Sequence, residues 1–105
     1  MPDSDSNDCR FDVPKVKIEL THPQAQLPQK AHPSDACFDL VSPVCLIVEP
    51  GQTSIVPLGF RMEMPEGWEA QIRGRSGLGS RGRVIHPGTI DQLYRQEVKC
   101  IVHNL

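Results

Sequence analysis

Ten prolines and eight glycines are scattered through these 105 residues rather than gathered in one segment. That spacing rules out most helical architectures, because proline breaks a helix interior and glycine weakens it, while both favour turns. Between them lie short apolar runs at residues 16–20, 38–41, 45–48, 54–58, 68–72 and 98–102. Several alternate in polarity, as in Val16-Lys17-Ile18-Glu19-Leu20 and Ala70-Gln71-Ile72-Arg73. Turn sequences such as Glu49-Pro50-Gly51-Gln52 and Met64-Pro65-Glu66-Gly67 bound them. Short alternating runs between Pro/Gly turns predict strands, and their regular recurrence predicts a sandwich or barrel. The sole helix candidate is a turn or two at residues 76–81, with Ser76 as its cap. There is no internal repeat. The expected class is all-β.

The chain is long enough for one domain, or part of one, with a modest core. Residues 1–14 read as a disordered acidic leader, and residues 15–105 as the domain. The leader lacks the basic and apolar regions of a secretory signal, and no apolar run is long enough to span a bilayer. A net charge of -2 gives no global attraction to nucleic acid. Cys9, Cys37, Cys45 and Cys100 show neither CxxC nor paired-histidine spacing. They read as incidental or buried thiols of a reducing cytoplasm rather than a metal site or disulfide scaffold.

Local chemistry concentrates between Arg73 and Arg95. The stretch Arg73-Gly74-Arg75-Ser76-Gly77-Leu78-Gly79-Ser80-Arg81-Gly82-Arg83 alternates arginines with glycines and hydroxyls. Glycine lets backbone N–H groups approach an anion, and arginine adds charge and bidentate donors. Next comes Gly88-Thr89-Ile90-Asp91-Gln92-Leu93-Tyr94-Arg95, with a single carboxylate and an aromatic ring. Phosphate binder, base and flat ring in one segment suggest a nucleotide site. Taken singly, Asp91 is also compatible with a strand-end carboxylate, Asp39 with the polar face of a strand, and Tyr94 with core. Arg81 and Arg83 read as a solvated basic face, and His22, His32, His86 and His103 as surface histidines. Trp68 reads as packing within its turn, and Glu63, Glu66 and Glu69 as turn and strand-surface charges.

Three ordered segments together resemble the trimeric dUTP diphosphatase (dUTPase) family. They are Ala36-Cys37-Phe38-Asp39-Leu40, Gly74-Arg75-Ser76-Gly77-Leu78, and the segment from Gly88 to Arg95. The resemblance runs from about Val16 to Leu105 and implies a distorted jelly-roll fold and a homotrimer. It also implies hydrolysis of dUTP to dUMP and pyrophosphate, with Mg2+ on the phosphates. It places Asp91 as the general base for water, Tyr94 beneath the deoxyribose, and Arg75, Ser76 and Gly77 in a phosphate loop given to a neighbouring subunit. Asp39 is implied to hold the waters of magnesium. Backbone at Gly88, Thr89, Ile90 and near Lys99 is implied to read uracil.

Cys37 and Gln96 stand where the family usually has glycine, and Ile85 and His86 occupy a stretch that often carries a uracil-contacting asparagine. The family's fourth and fifth motifs have no counterpart. The apolar run at 98–102 would also need strand neighbours on both sides. The expectation is that a C-terminal part lies beyond Leu105, and that the 105 residues alone turn over little or no dUTP. A catalytically inactive chain that binds nucleotide or protein is the alternative function. A dCTP deaminase relative is the lesser one, since the strand position where that family needs glutamate falls near Ile101. An RNA-binding role for the glycine-arginine segment fits poorly, because stacking aromatics are absent.

Overall fold

The computed structural model describes residues 15–105, so the leader read at 1–14 lies outside the described residues. Among the described residues seven strands and one helical turn follow one another: β1 (Lys17–Leu20), β2 (Thr53–Pro57), β3 (Phe60–Glu63), β4 (Ala70–Ile72), α1 (Ser76–Gly79), β5 (Arg83–Ile85), β6 (Gly88–Ile90) and β7 (Lys99–Asn104). All pairings are antiparallel, in three small sheets ordered β1-β3, β2-β7-β5 and β4-β6. The all-β expectation therefore stands.

Three sheets this small cannot each bury a face alone, so they share one core. Leu58, Phe60, Ile72, Ile90 and Val98 form its centre, with Ile18, Met62, Ala70, Ile85 and Cys100 packed around it. Burying each large apolar side chain contributes about 1.5–3 kcal/mol. Val98 is the most enclosed, with only 1% of its surface exposed. Its backbone is also fixed: Leu58 N–H donates to the Val98 carbonyl at 3.0 Å, and Val98 N–H donates to that of Phe60 at 2.8 Å. Gly59 lies between those two partners in the left-handed region (φ 77°), which lets β2 turn directly into β3.

The runs at 16–20, 54–58, 68–72 and 98–102 are strands to within a residue or two. Those at 38–41 and 45–48 are not. Alternating hydrophobicity predicts an extended backbone, but a strand also needs a hydrogen-bonding neighbour. The first run has only an isolated bridge between Gln29 and Asp39. The second is tied by Asn104, whose side-chain amide donates to the Val48 carbonyl at 2.7 Å. Phe38 and Ile47 are accordingly 59% and 83% exposed. Strands β3, β5 and β6 went unread, being three or four residues long and hidden among glycine, proline and arginine. At α1 the N-cap is Arg75, without a side-chain capping bond, so Ser76 is the first helical residue and not the cap. Trp68 does sit in a turn, its N–H bonded to the Pro65 carbonyl, but its ring is half exposed rather than packed. Finally, β7 has neighbours on both sides, β2 and β5, both from earlier in the chain.

Candidate active site

The segment linking β6 to β7 is anchored at both ends by core residues, Ile90 and Val98. Between those anchors, backbone and side chains brace one another. Tyr94 N–H donates to the Asp91 carbonyl at 3.0 Å. The Tyr94 hydroxyl donates to the Glu97 carbonyl at 2.9 Å, fixing the ring. Arg95 Nη1 donates to the carbonyls of Gln92 at 2.7 Å and Tyr94 at 3.2 Å. Two bonds tie the loop to other turns: Gly67 N–H to Gln92 Oε1 at 3.0 Å, and Thr21 Oγ1 to Glu97 Oε2 at 3.1 Å. Asp91, the exposed residue at the end of β6, thus projects from a fixed base. Among the described residues its carboxylate accepts no hydrogen bond.

Two strand edges flank this loop. β6 pairs with β4 along one side only, through Ala70↔Ile90, Gln71↔Thr89 and Ile72↔Gly88. β7 pairs with β2 from Lys99 onwards, but β5 covers its other side only from Val102 to Asn104, with one further bond from His86 N–H to the Ile101 carbonyl. Among the described residues, backbone groups at the start of β7 and along the outer side of β6 have no ladder partner. Gly88, Thr89 and Ile90 lie on β6, Asp91 and Tyr94 on the connecting loop, and Lys99 at the start of β7, the two strands belonging to different sheets.

Arg75, Ser76 and Gly77 lie elsewhere, in an open groove of about 450 Å³ whose remaining lining is Leu78 and Arg81. The helical turn is closed by Gly79 N–H to the Arg75 carbonyl at 3.0 Å and Ser80 N–H to that of Ser76 at 2.9 Å. Ser80 Oγ is engaged with the Gly77 carbonyl at 3.0 Å, whereas the Ser76 hydroxyl has no intramolecular partner among the described residues. Neither Asp91 nor Tyr94 lines this groove, so one chain does not gather all the expected site residues around a single cavity.

Asp39 is half-buried on the Gln29 bridge, which uses its backbone, and its carboxylate has no hydrogen-bond partner among the described residues. Among the described residues no group of three or more His, Cys, Asp or Glu could cage a metal ion. Cys37 and Cys45 are exposed free thiols, and burial pushes the thiol of Cys100 above its ordinary pKa. Sequence reasoning missed the bracing roles of Gln92, Arg95 and Glu97. Their partners are fixed by turn geometry, which no spacing rule encodes.

The family model described as dUTPase matches residues 23–105. The chain belongs to the dUTPase family. Among curated relatives, this dUTPase-family chain is 44% identical over 96 residues to the deoxyuridine 5'-triphosphate nucleotidohydrolase of Solibacter usitatus, covering 87% of this chain and 65% of the relative. It is 45% identical over 92 residues to that of Clostridium tetani, covering 85% and 63%. Among solved structures, a dUTPase from phage phi11 of Staphylococcus aureus superposes with a TM-score of 0.81 at 26% identity, covering 86% of this chain and 60% of that one. The work on that phage enzyme concerns coordination of a structural Mg(II) ion. The chain thus spans somewhat less than two thirds of the length of these relatives.

Proposed function

We propose that this chain forms part of a dUTP diphosphatase, hydrolysing dUTP to dUMP and pyrophosphate. The observation that carries the reading is the braced loop between β6 and β7, which holds the Asp91 carboxylate and the fixed Tyr94 ring beside the outer side of β6 and the partly open start of β7. Uracil presents a donor flanked by acceptors, a pattern that peptide N–H and C=O groups along β6 and at Lys99 can match. The Tyr94 ring, immobilised through its hydroxyl, provides a flat surface for deoxyribose and leaves little room for a ribose 2′-OH. Asp91 is the base: it takes a proton from a water that attacks the α-phosphorus, and the bond from that phosphorus to the bridging oxygen breaks as pyrophosphate leaves. Arg75, the Ser76 hydroxyl and Gly77 N–H bind the phosphates and stabilise the charge that accumulates on them.

The donor set fits magnesium carried by phosphate and water rather than by a protein cage. Magnesium keeps several waters and uses one or two carboxylates, and Asp39 has a free carboxylate to hold such waters. Such an ion would offset charge on the leaving group. The three described cysteines, all free thiols, suit a reducing cytoplasm.

The separation of the Arg75 groove from the Asp91 loop supports a site completed between copies, and hence a homotrimer. Ile55 and Ile101 face each other across β2 and β7, beside Val84 of β5, on a sheet face that remains open in the single chain. Such a face supports association. No carboxylate lies on β7 from Lys99 to Asn104, which speaks against the deaminase alternative. The test is substrate discrimination. Binding of a non-hydrolysable dUTP analogue well ahead of its UTP and dCTP counterparts is expected, and equal affinity for all three would overturn the reading.

A further inference from the structure

Arg81 is separated from Arg75 by one helical turn, and both line the same groove. The fold returns it there through Arg81 N–H to the Leu78 carbonyl at 3.0 Å and Gly82 N–H to that of Gly79, also 3.0 Å. Gly82 then turns the chain away with φ of 77°, and its carbonyl is held by Leu105 N–H at 2.8 Å. No carboxylate lines the groove, and neither guanidinium has an ion-pair partner among the described residues. Arg83, two residues on, is instead part of β5, opposite Asn104, and does not line the groove. Two like charges facing one open cavity repel each other until an anion lies between them.

We propose that Arg81 is a second phosphate-binding cation of the Arg75 groove, and that the pair selects a polyphosphate over a single phosphate group. This rests on the reading of the Arg75 loop as a phosphate site. One arginine can satisfy one phosphate bidentately, but a second at the far end of the turn is used only by an anion long enough to reach both. Substrate triphosphate would thereby be retained in preference to product monophosphate.

The experiment is calorimetric titration of the whole chain with inorganic tripolyphosphate and, separately, orthophosphate, at low and moderate salt. Circular dichroism melts check that every variant is folded. Arg81→Gln is expected to weaken tripolyphosphate binding roughly fivefold, as for an exposed charge pair, while leaving orthophosphate nearly unchanged. Arg81→Lys should recover part of the loss, and Arg83→Gln should change neither ligand. If Arg75→Gln loses binding while Arg81→Gln binds like the wild type, the proposal falls and the phosphate loop stands. Equal weakening by Arg83→Gln overturns it too, showing only diffuse attraction. A folded wild-type chain that binds no tripolyphosphate removes both the proposal and the reading beneath it.

Discussion

Gly59 couples stability to the loop between β6 and β7, because its neighbours Leu58 and Phe60 hold both backbone groups of Val98, the residue that ends that loop. In Gly59→Ala the new methyl meets Cβ of Ala25 at 2.8 Å, Cγ of Pro43 at 3.0 Å and Cβ of His22 at 3.1 Å. Its φ of 77° adds a backbone term of about 1–2 kcal/mol for an L-residue. Overpacking against three such atoms adds about 1–3 kcal/mol. The expected loss is therefore about 2–5 kcal/mol, and a domain this size loses roughly 4–8 °C of melting temperature per kcal/mol. Gly51→Ala is the matched control: φ is 81°, but nothing lies within 4 Å of the new methyl. It should lose only the backbone term of about 1–2 kcal/mol. Urea denaturation of both variants isolates the contact term as their difference. Equal losses would show that the close approaches to Ala25, Pro43 and His22 relax without strain, refuting the reasoning.

Tyr94→Phe removes the bond to the Glu97 carbonyl but keeps the ring. In a sample supplemented with the part of a relative that these residues leave uncovered, KM for dUTP should rise about twofold to fivefold with kcat little changed, and a large fall in kcat would show that the hydroxyl takes part in chemistry. Cys100 has a folded pKa raised by burial. Its stabilising contribution is fully present below the unfolded thiol's pKa and lost as pH rises through the folded value. Cys100→Ser should therefore flatten the alkaline limb of stability against pH, and an unchanged limb would exclude Cys100 as its source. In iodoacetamide labelling followed by mass spectrometry, Cys37 and Cys45 should react well before Cys100. The Arg61–Glu19 pair at 2.8 Å joins exposed side chains of β1 and β3. Its double-mutant coupling should be no more than about 0.5 kcal/mol and vanish in high salt, whereas a coupling above 1 kcal/mol would mean the pair is shielded from water.

The parts legible in sequence were those written in periodicity and punctuation. Alternation in Lys17-Ile18-Glu19-Leu20 and the apolar run at Val98 each marked a strand, and the glycine-arginine segment supplies the lining of one open groove. Pairing was not legible. Phe38 and Ile47 lie in runs as apolar as β2, yet neither run joins a ladder, because strand formation depends on a partner in register. Arg81 and Arg83 look alike in sequence. The structure separates them by turning one into the groove and pairing the other's strand with β7. Gln92 gave no signal either, since its value lies in reaching Gly67, which is 25 residues away.

The measurement that tests the central claim most directly is dUTP turnover with magnesium, following dUMP and pyrophosphate. Because these residues span 63% of the Clostridium tetani relative, the sample assayed is supplemented with the part of that relative they leave uncovered. The account predicts equimolar dUMP and pyrophosphate from dUTP, little product from UTP, and loss of at least a hundredfold in rate on Asp91→Asn, the scale of general-base catalysis. A folded protein that leaves dUTP intact, or an Asp91→Asn variant as fast as its parent, would contradict it.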